Sequence, residues 1–297
     1  MRVGMTLPVM EPALDRAVLE RWTRSIDEGP WSSVCFGERI CFDNPETLTL
    51  LGAVGAWTRR VRVVTTVVVP QLHDPVHLAK ALATGDLLCD GRLTVGFGVG
   101  GRTEDYRAVG ADPATRTIGE MAERIGVMRR VWAGEDVTGG RLPVGPPPVQ
   151  PGGPELLIGT LGPKTVRAAA AWADGLAGMS LDLDLAQMSA LFDRARSAWA
   201  EAARPAPRLT TSFWFALTET VSGADPRRQV GEHLRRYMNW MPTELVDGLV
   251  PVAGFAGPVE ELREVLDRIA ELGTDEVQLV PTSADPRQVE LVAEVLR

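Results

Sequence analysis

The chain predicts an α/β fold, a closed (β/α)8 TIM barrel with insertion loops at its C-terminal face. Three observations lead there. Short β-branched runs alternate along the sequence with longer amphipathic stretches. The runs are too short and too uniformly apolar for one-sided antiparallel strands, which fits parallel strands buried on both faces. Eight such runs begin at Arg2, Ser33, Arg62, Arg92, Glu155, Gly175, Leu209 and Glu276, so the intervals are 31, 29, 30, 63, 20, 34 and 67 residues. Five of these suit one strand–helix unit, and the other two are about twice as long. A doubly wound open sheet also alternates but commonly has fewer strands.

The strands read RVGMTLPV, SSVCFGER, RVVTTVVVP, RLTVGFGVG, ELLIGT, GLAGMS, LTTSFWFAL and EVQLVPT. Helical spacing of apolar residues predicts helices over Ala13–Ile26, Thr47–Thr58, Val76–Leu88, Val166–Ala173 and Glu260–Leu272. Asp74-Pro75 and Asp285-Pro286 place a capping carboxylate before a proline suited to a first turn. The long intervals hold the insertions. From Leu142 to Pro154, six of thirteen residues are proline and three are glycine, so an extended loop is expected. The second insertion, Ser222 to Phe255, opens with a capped helix at Ala224-Asp225-Pro226 carrying Val230, Leu234, Tyr237, Met238 and Met241. Those side chains could cover a ligand, but packing on the scaffold is the simpler reading. A single domain over residues 1–297 accommodates all of this.

Composition narrows the function. Hydrophobic residues at 45% and charged residues at 24% describe an ordinary globular chain. A net charge of -8 argues against nucleic acid as partner. No apolar stretch approaches the roughly 18 residues of a membrane span, and the N-terminus shows no signal peptide. Cys35, Cys41 and Cys89 form no metal or redox spacing. A cytoplasmic protein acting on a small-molecule substrate is the resulting expectation, with a homodimer left open.

Several motifs bear on chemistry. Gly96, Gly98 and Gly101 satisfy G-x-G-x-x-G, but no long helix follows at once and three strand–helix units precede them, so a dinucleotide fingerprint is not indicated. Glycines here would instead let a flat ligand approach the end of the fourth strand. His73 and His77 have helical ligand spacing, yet the Asp74 cap leaves His73 outside the helix, and no metal is expected. His73 remains a polar group near a strand end. Glu38-Arg39 closes the second strand, either as an internal ion pair or as an acid and a cation facing substrate. In Gly159-Thr160-Leu161-Gly162-Pro163-Lys164-Thr165 the proline suits a first helical turn, whose free amides favour an anion. Lys164, one of two lysines among 31 basic residues, points to a phosphate there more than to a solvated surface charge.

Together these residues resemble the luciferase-like flavin and deazaflavin oxidoreductases. The match is densest from Arg62 to Gly110 in RVRVVTTVVVPQLHDPVHLAKALATGDLLCDGRLTVGFGVGGRTEDYRAVG, which begins at Arg60. It continues through Met128-Arg129-Arg130-Val131-Trp132, PPPVQPGGPELLIGTLGPKTVRAAAAWADG and ELGTDEVQLVP. The resemblance implies an isoalloxazine-type ring at the strands' C-terminal ends and a cis peptide at Thr66-Val67 behind it. It implies a phosphate site at Gly159, Thr160, Leu161, Gly162, Lys164 and Thr165, and a tail-binding rim at Gly98, Val99, Gly100 and Glu104. Glu38, Arg39 and His73 are the implied catalytic candidates. Many members carry a histidine where this chain has Arg39, which weakens luciferase oxygenation chemistry as a model. Coenzyme F420 is the expected cofactor and FMN the alternative, in an F420- or FMN-dependent oxidoreductase. A non-catalytic flavin-binding protein is the rival from another class.

Overall fold

The computed structural model describes residues 1–12, 14–137, 139–140, 142–159, 162–220 and 225–297. Its strands are β1 (Arg2–Thr6), β2 (Ser33–Phe36), β3 (Arg62–Val68), β4 (Leu93–Phe97), β5 (Glu155–Ile158), β6 (Gly175–Ala177), β7 (Arg208–Leu217), β8 (Phe255–Gly257) and β9 (Glu276–Pro281). Its α-helices are α1 (Arg16–Glu28), α2 (Thr47–Trp57), α3 (Pro75–Leu88), α4 (Thr103–Ala108), α5 (Ile118–Trp132), α6 (Pro163–Ala169), α7 (Leu185–Glu201), α8 (Pro226–Tyr237), α9 (Thr243–Leu249), α10 (Val259–Glu271) and α11 (Arg287–Val295).

Every recorded pairing is parallel, in the order β6-β5-β4-β3-β2-β1-β9-β7, and β6 also pairs with β7. That last pairing, Leu176 against Leu209, closes eight strands into a barrel. The fold is the (β/α)8 barrel that the alternation predicts. β8 is an addition: three residues at the end of the expected insertion and just beyond it run beside the end of β7, Phe255 against Phe215.

Local chemistry explains the element boundaries. Asp15 caps α1 by accepting from Val18 N at 2.8 Å, so this helix starts at Arg16. Ala13, where the pattern places its start, lies outside the described residues. Asp74 accepts from Val76 N and His77 N, which fixes Pro75 as the first residue of α3. Asp225 serves α8 in the same way, while Ser222 and Ala224 lie outside the described residues. At the chain's end Asp285 accepts from Arg287 N, and α11 begins one residue later than the proline rule suggests. α6 starts at Pro163 as expected but stops at Ala169, well short of Ala173. Leu142–Pro154 forms no helix or strand among its residues.

The main core lies between barrel and helices, where Trp22, Ile26, Trp31, Phe36, Phe192 and Trp199 are fully enclosed. At the barrel's N-terminal end a polar plug replaces apolar packing. Glu276 accepts from Ser32 and Ser33 and pairs with Arg208, which also reaches Glu155. Each buried charge there has a partner, as burial in a low dielectric demands. A second, smaller core forms where Val230, Leu234 and Met238 of the insertion pack on Trp214 and Ala216 of β7. This places α8 over the opposite, C-terminal end of the barrel. Among the described residues no helix is long and apolar enough to cross a membrane.

Candidate active site

A cavity of about 400 Å³ opens at the C-terminal end of the barrel. All eight barrel strands reach it, directly or through the loops that follow them. Thr6 ends β1 and Leu7 to Met10 follow it, Gly37 and Glu38 follow β2, and Thr66 and Val67 belong to β3. Gly100, Gly101 and Arg102 follow β4, Gly159 follows β5, and Ala177 ends β6. Ser212 and Trp214 come from β7, Val280 and Pro281 from β9, and His233, Tyr237, Met238 and Trp240 roof the space from α8 and just beyond. The wall is mainly apolar, with few polar groups, the usual make-up of a small-molecule site.

The β3 side of the wall is built around an irregular peptide. Thr66–Val67 is cis, as the resemblance implies, and the β3–β4 register shifts between Thr65 and Val68. Glycines make room for it. A methyl group at Gly37 would lie 2.6 Å from Thr66 O, one at Gly98 2.6 Å from Val67 Cγ2, and one at Gly159 2.9 Å from Val67 Cγ1. The space beside Gly98 is therefore filled by Val67, which corrects the reading of this glycine as a gap for ligand. Gly100, with φ +64, and Gly101 do border the cavity. Backbone bonds hold the segment: Glu38 N donates to Val67 O at 3.0 Å and Gly98 N to Val68 O at 3.0 Å.

Glu38 and Arg39 part company after β2. The Glu38 carboxylate accepts from Val69 N at 2.8 Å and meets His73 Nε2 at 2.7 Å. Arg39 turns away from it, so the adjacent pair is not an ion pair. The Arg39 guanidinium is buried, 3.7 Å from Asp105, donates to Tyr237 O at 3.1 Å, and lies over the Phe42 ring at 4.6 Å. Burial holds its pKa below the usual arginine value, and the neighbouring Arg102 adds to the effect. Of the three catalytic candidates only Glu38 borders the cavity; Arg39 and His73 stand behind its wall. A cation facing substrate at Arg39 is thus also corrected.

Among the implied cofactor residues, Thr66, Val67, Gly100 and Gly159 border the cavity, whereas Gly98, Val99, Glu104, Gly162, Lys164 and Thr165 do not. Val99 O accepts from the Tyr106 hydroxyl at 2.7 Å, and burial pushes that phenol above its ordinary pKa. Lys164 is exposed in the first turn of α6, where Gly162 is the cap. Thr160 and Leu161 lie outside the described residues.

A family model for luciferase-like monooxygenases matches residues 17–278, which span nearly the whole barrel and decide the assignment. The chain belongs to the luciferase-like monooxygenase family. Among relatives, an uncharacterized protein of Mycobacterium tuberculosis is 34% identical over 193 residues, covering 62% of this chain and 60% of that protein. The chain thus matches about 60% of the length of such curated relatives. An F420-dependent glucose-6-phosphate dehydrogenase of Nakamurella multipartita is 31% identical over 140 residues, 44% of this chain and 41% of that enzyme. The crystal structure of monooxygenase RslO1 from Streptomyces bottropensis superposes with a TM-score of 0.79 at 26% identity, covering 99% of this chain and 98% of that one. Luciferase-like barrels named for F420 or FMN share the fold at 15–18% identity.

Two polar groups of this luciferase-like cavity escaped sequence reasoning. Thr6 Oγ1 and His233 Nε2 are buried and lack a hydrogen-bond partner among the described residues. Thr6 looks like any strand threonine. His233 sits at helical spacing between Val230 and Tyr237, but its partner Glu11 is 222 positions away. No local pattern announces that contact.

Proposed function

We propose that this chain is an oxidoreductase that uses coenzyme F420 to move a hydride to or from a small, largely apolar organic substrate. The observation that carries the reading is the cavity itself. Its wall is apolar around Val67, and its buried polar atoms, Thr6 Oγ1 and His233 Nε2, still have hydrogen-bonding capacity to spend. A flat heteroaromatic ring with polar edges suits such a wall. Similarity to an F420-dependent dehydrogenase over 140 residues supports the deazaflavin over FMN.

Thr66, Val67, Gly100 and Gly159 would face the ring, since they border the cavity. Gly98, Val99 and Glu104, and Gly162, Lys164 and Thr165, continue from that wall and would hold the tail and its phosphate, with Thr160 and Leu161 between them in sequence. When bound, the deazaflavin supplies the hydride-accepting or hydride-donating carbon. The protein's own part is to orient substrate, exclude water and handle the accompanying proton. Tyr237, Met238 and Trp240 do the excluding from above. Titration of the purified protein with F420 and FMN side by side tests the reading. F420 is expected to bind more tightly; a tenfold preference for FMN, about 1.4 kcal/mol, reverses the cofactor assignment.

A further inference from the structure

The roof of the cavity contains a histidine that is fully oriented on one side and uncommitted on the other. His233 Nδ1 lies 2.5 Å from Glu11 Oε1, and both residues are buried, at 1% and 6% exposure. Arg236, one turn position further along α8, also donates to Glu11 and to Met10 O at 3.2 Å. The imidazole stacks on Tyr237 at 5.7 Å between ring centres with a 17° tilt, and Trp214 flanks it at 6.1 Å. These contacts leave the ring little freedom to turn. A carboxylate accepts and does not donate, so in the neutral imidazole Nδ1 carries the hydrogen and Nε2 presents a lone pair. Nε2 is buried without a hydrogen-bond partner among the described residues, and the residue borders the cavity. A buried acceptor left unpaired is costly, which marks it as a place for a ligand's donor group.

We propose that His233 is a catalytic residue: Nε2 receives the hydroxyl of an alcohol substrate and takes its proton as the alcohol is oxidised. This role rests on the hydride-transfer reading above. The carbinol C–H bond breaks with its electron pair leaving as hydride to the oxidised deazaflavin. The O–H bond breaks with its proton going to Nε2, and its electron pair forms the carbonyl. The result is a ketone or aldehyde, a reduced cofactor and an imidazolium that Glu11 faces. A general base of this kind contributes about 10²- to 10⁴-fold. The substrate class is therefore a hydroxyl compound with an apolar body, matched to an apolar wall and one acceptor.

The cofactor-free protein, labelled with 15N-histidine, gives a direct test. The three histidines are assigned with His233→Asn and Glu11→Gln. The wild type is expected to show the Nδ1–H tautomer at His233, and Glu11→Gln is expected to release it towards Nε2–H. Phenol is expected to bind at least fivefold more tightly than toluene and to move the His233 Nε2 resonance, and His233→Asn is expected to erase that preference. Phenol binding no tighter than toluene, or an unmoved Nε2 resonance at saturation, overturns the proposal. With F420 and a panel of secondary alcohols, His233→Asn is expected to lower kcat about a hundredfold with F420 affinity unchanged. Equal kcat in the two proteins overturns the proton role. Absence of F420 binding in the wild type overturns the hydride reading and with it the catalytic assignment, while the tautomer and phenol results would still report the subsite.

Discussion

Glu38, on the cavity wall, and His73, behind it, are 35 residues apart in sequence and meet at 2.7 Å. The second oxygen of Glu38 accepts from Val69 N, so one carboxylate pins the whole turn that follows β3. Glu38→Ala is expected to cost about 1–3 kcal/mol of stability, because Val69 N would be left buried without its acceptor. His73→Asn should cost less and should leave binding of cavity ligands nearly unchanged. Denaturant unfolding and ligand titration on the two variants check both statements.

Gly98 and Val67 compete for one space. Gly98→Ala puts a methyl group 2.6 Å from Val67 Cγ2 and should destabilise by about 1–3 kcal/mol through overpacking. Val67→Ala removes the obstacle, so the double variant should be more stable than the sum of the single effects. A double-mutant cycle measures this, with strict additivity as the contrary result.

Lys164 is exposed in the first turn of α6 and has no ion-pair partner in the described structure. If it holds the cofactor phosphate, Lys164→Ala should weaken F420 or FMN binding by about 1–3 kcal/mol and leave riboflavin, which lacks a phosphate, unaffected. The melting temperature of the free protein should not change. Equal loss for FMN and riboflavin would remove Lys164 from the phosphate site.

Asp27 offers a pH signature. Burial alone would raise its carboxyl pKa, but amides of Val61, Arg60 and Arg59, with the Arg60 charge, outweigh burial and hold it below the usual carboxylate value. A depressed carboxylate stabilises the fold above its unfolded pKa, and that contribution fades as pH falls through the lower, folded value. The gap in melting temperature between wild type and Asp27→Asn should thus be constant above about pH 5 and narrow below about pH 4. A gap that widens in acid contradicts this.

The three thiols should separate cleanly towards an alkylating reagent. Cys35 and Cys89 are buried, and burial pushes the Cys89 thiol up to about 11 and the Cys35 thiol higher still. Cys41 is exposed, but desolvation and the nearby Asp105 raise it too. At pH 8, Cys41 alone should react in the folded protein, more slowly than free cysteine, as mass spectrometry would show.

The barrel was legible because its evidence is local and repeated. Apolar strands and helical spacing recur along the chain, Asp-Pro pairs cap α3 and α8, and α3 begins at Pro75 as its cap dictates. The cis peptide at Thr66-Val67 came from family likeness, and nothing in the spacing of those residues reveals it. What sequence could not supply were pairings between distant segments. Arg39 looks like a partner for its neighbour Glu38 but finds Asp105, and Glu38 finds His73. The empty side of Gly98 suggests an opening until Val67 is seen to occupy it. The insertion helix divides its residues between both uses considered for it: Val230 and Leu234 pack on β7, while Tyr237 and Met238 face the cavity.

The small core under α8 has a consequence for how such a protein diversifies. The helix grips β7 through Val230 and Leu234 and is tethered to the first loop through Glu11. With those anchors and the core residues Met238 and Val246 retained, the exposed positions between Asn239 and Gly248 could be rewritten in an engineered library while the barrel's hydrogen-bonded cylinder stays intact. Inheritance of the vessel and turnover of its roof are then separable, and selectivity could drift at little cost to folding.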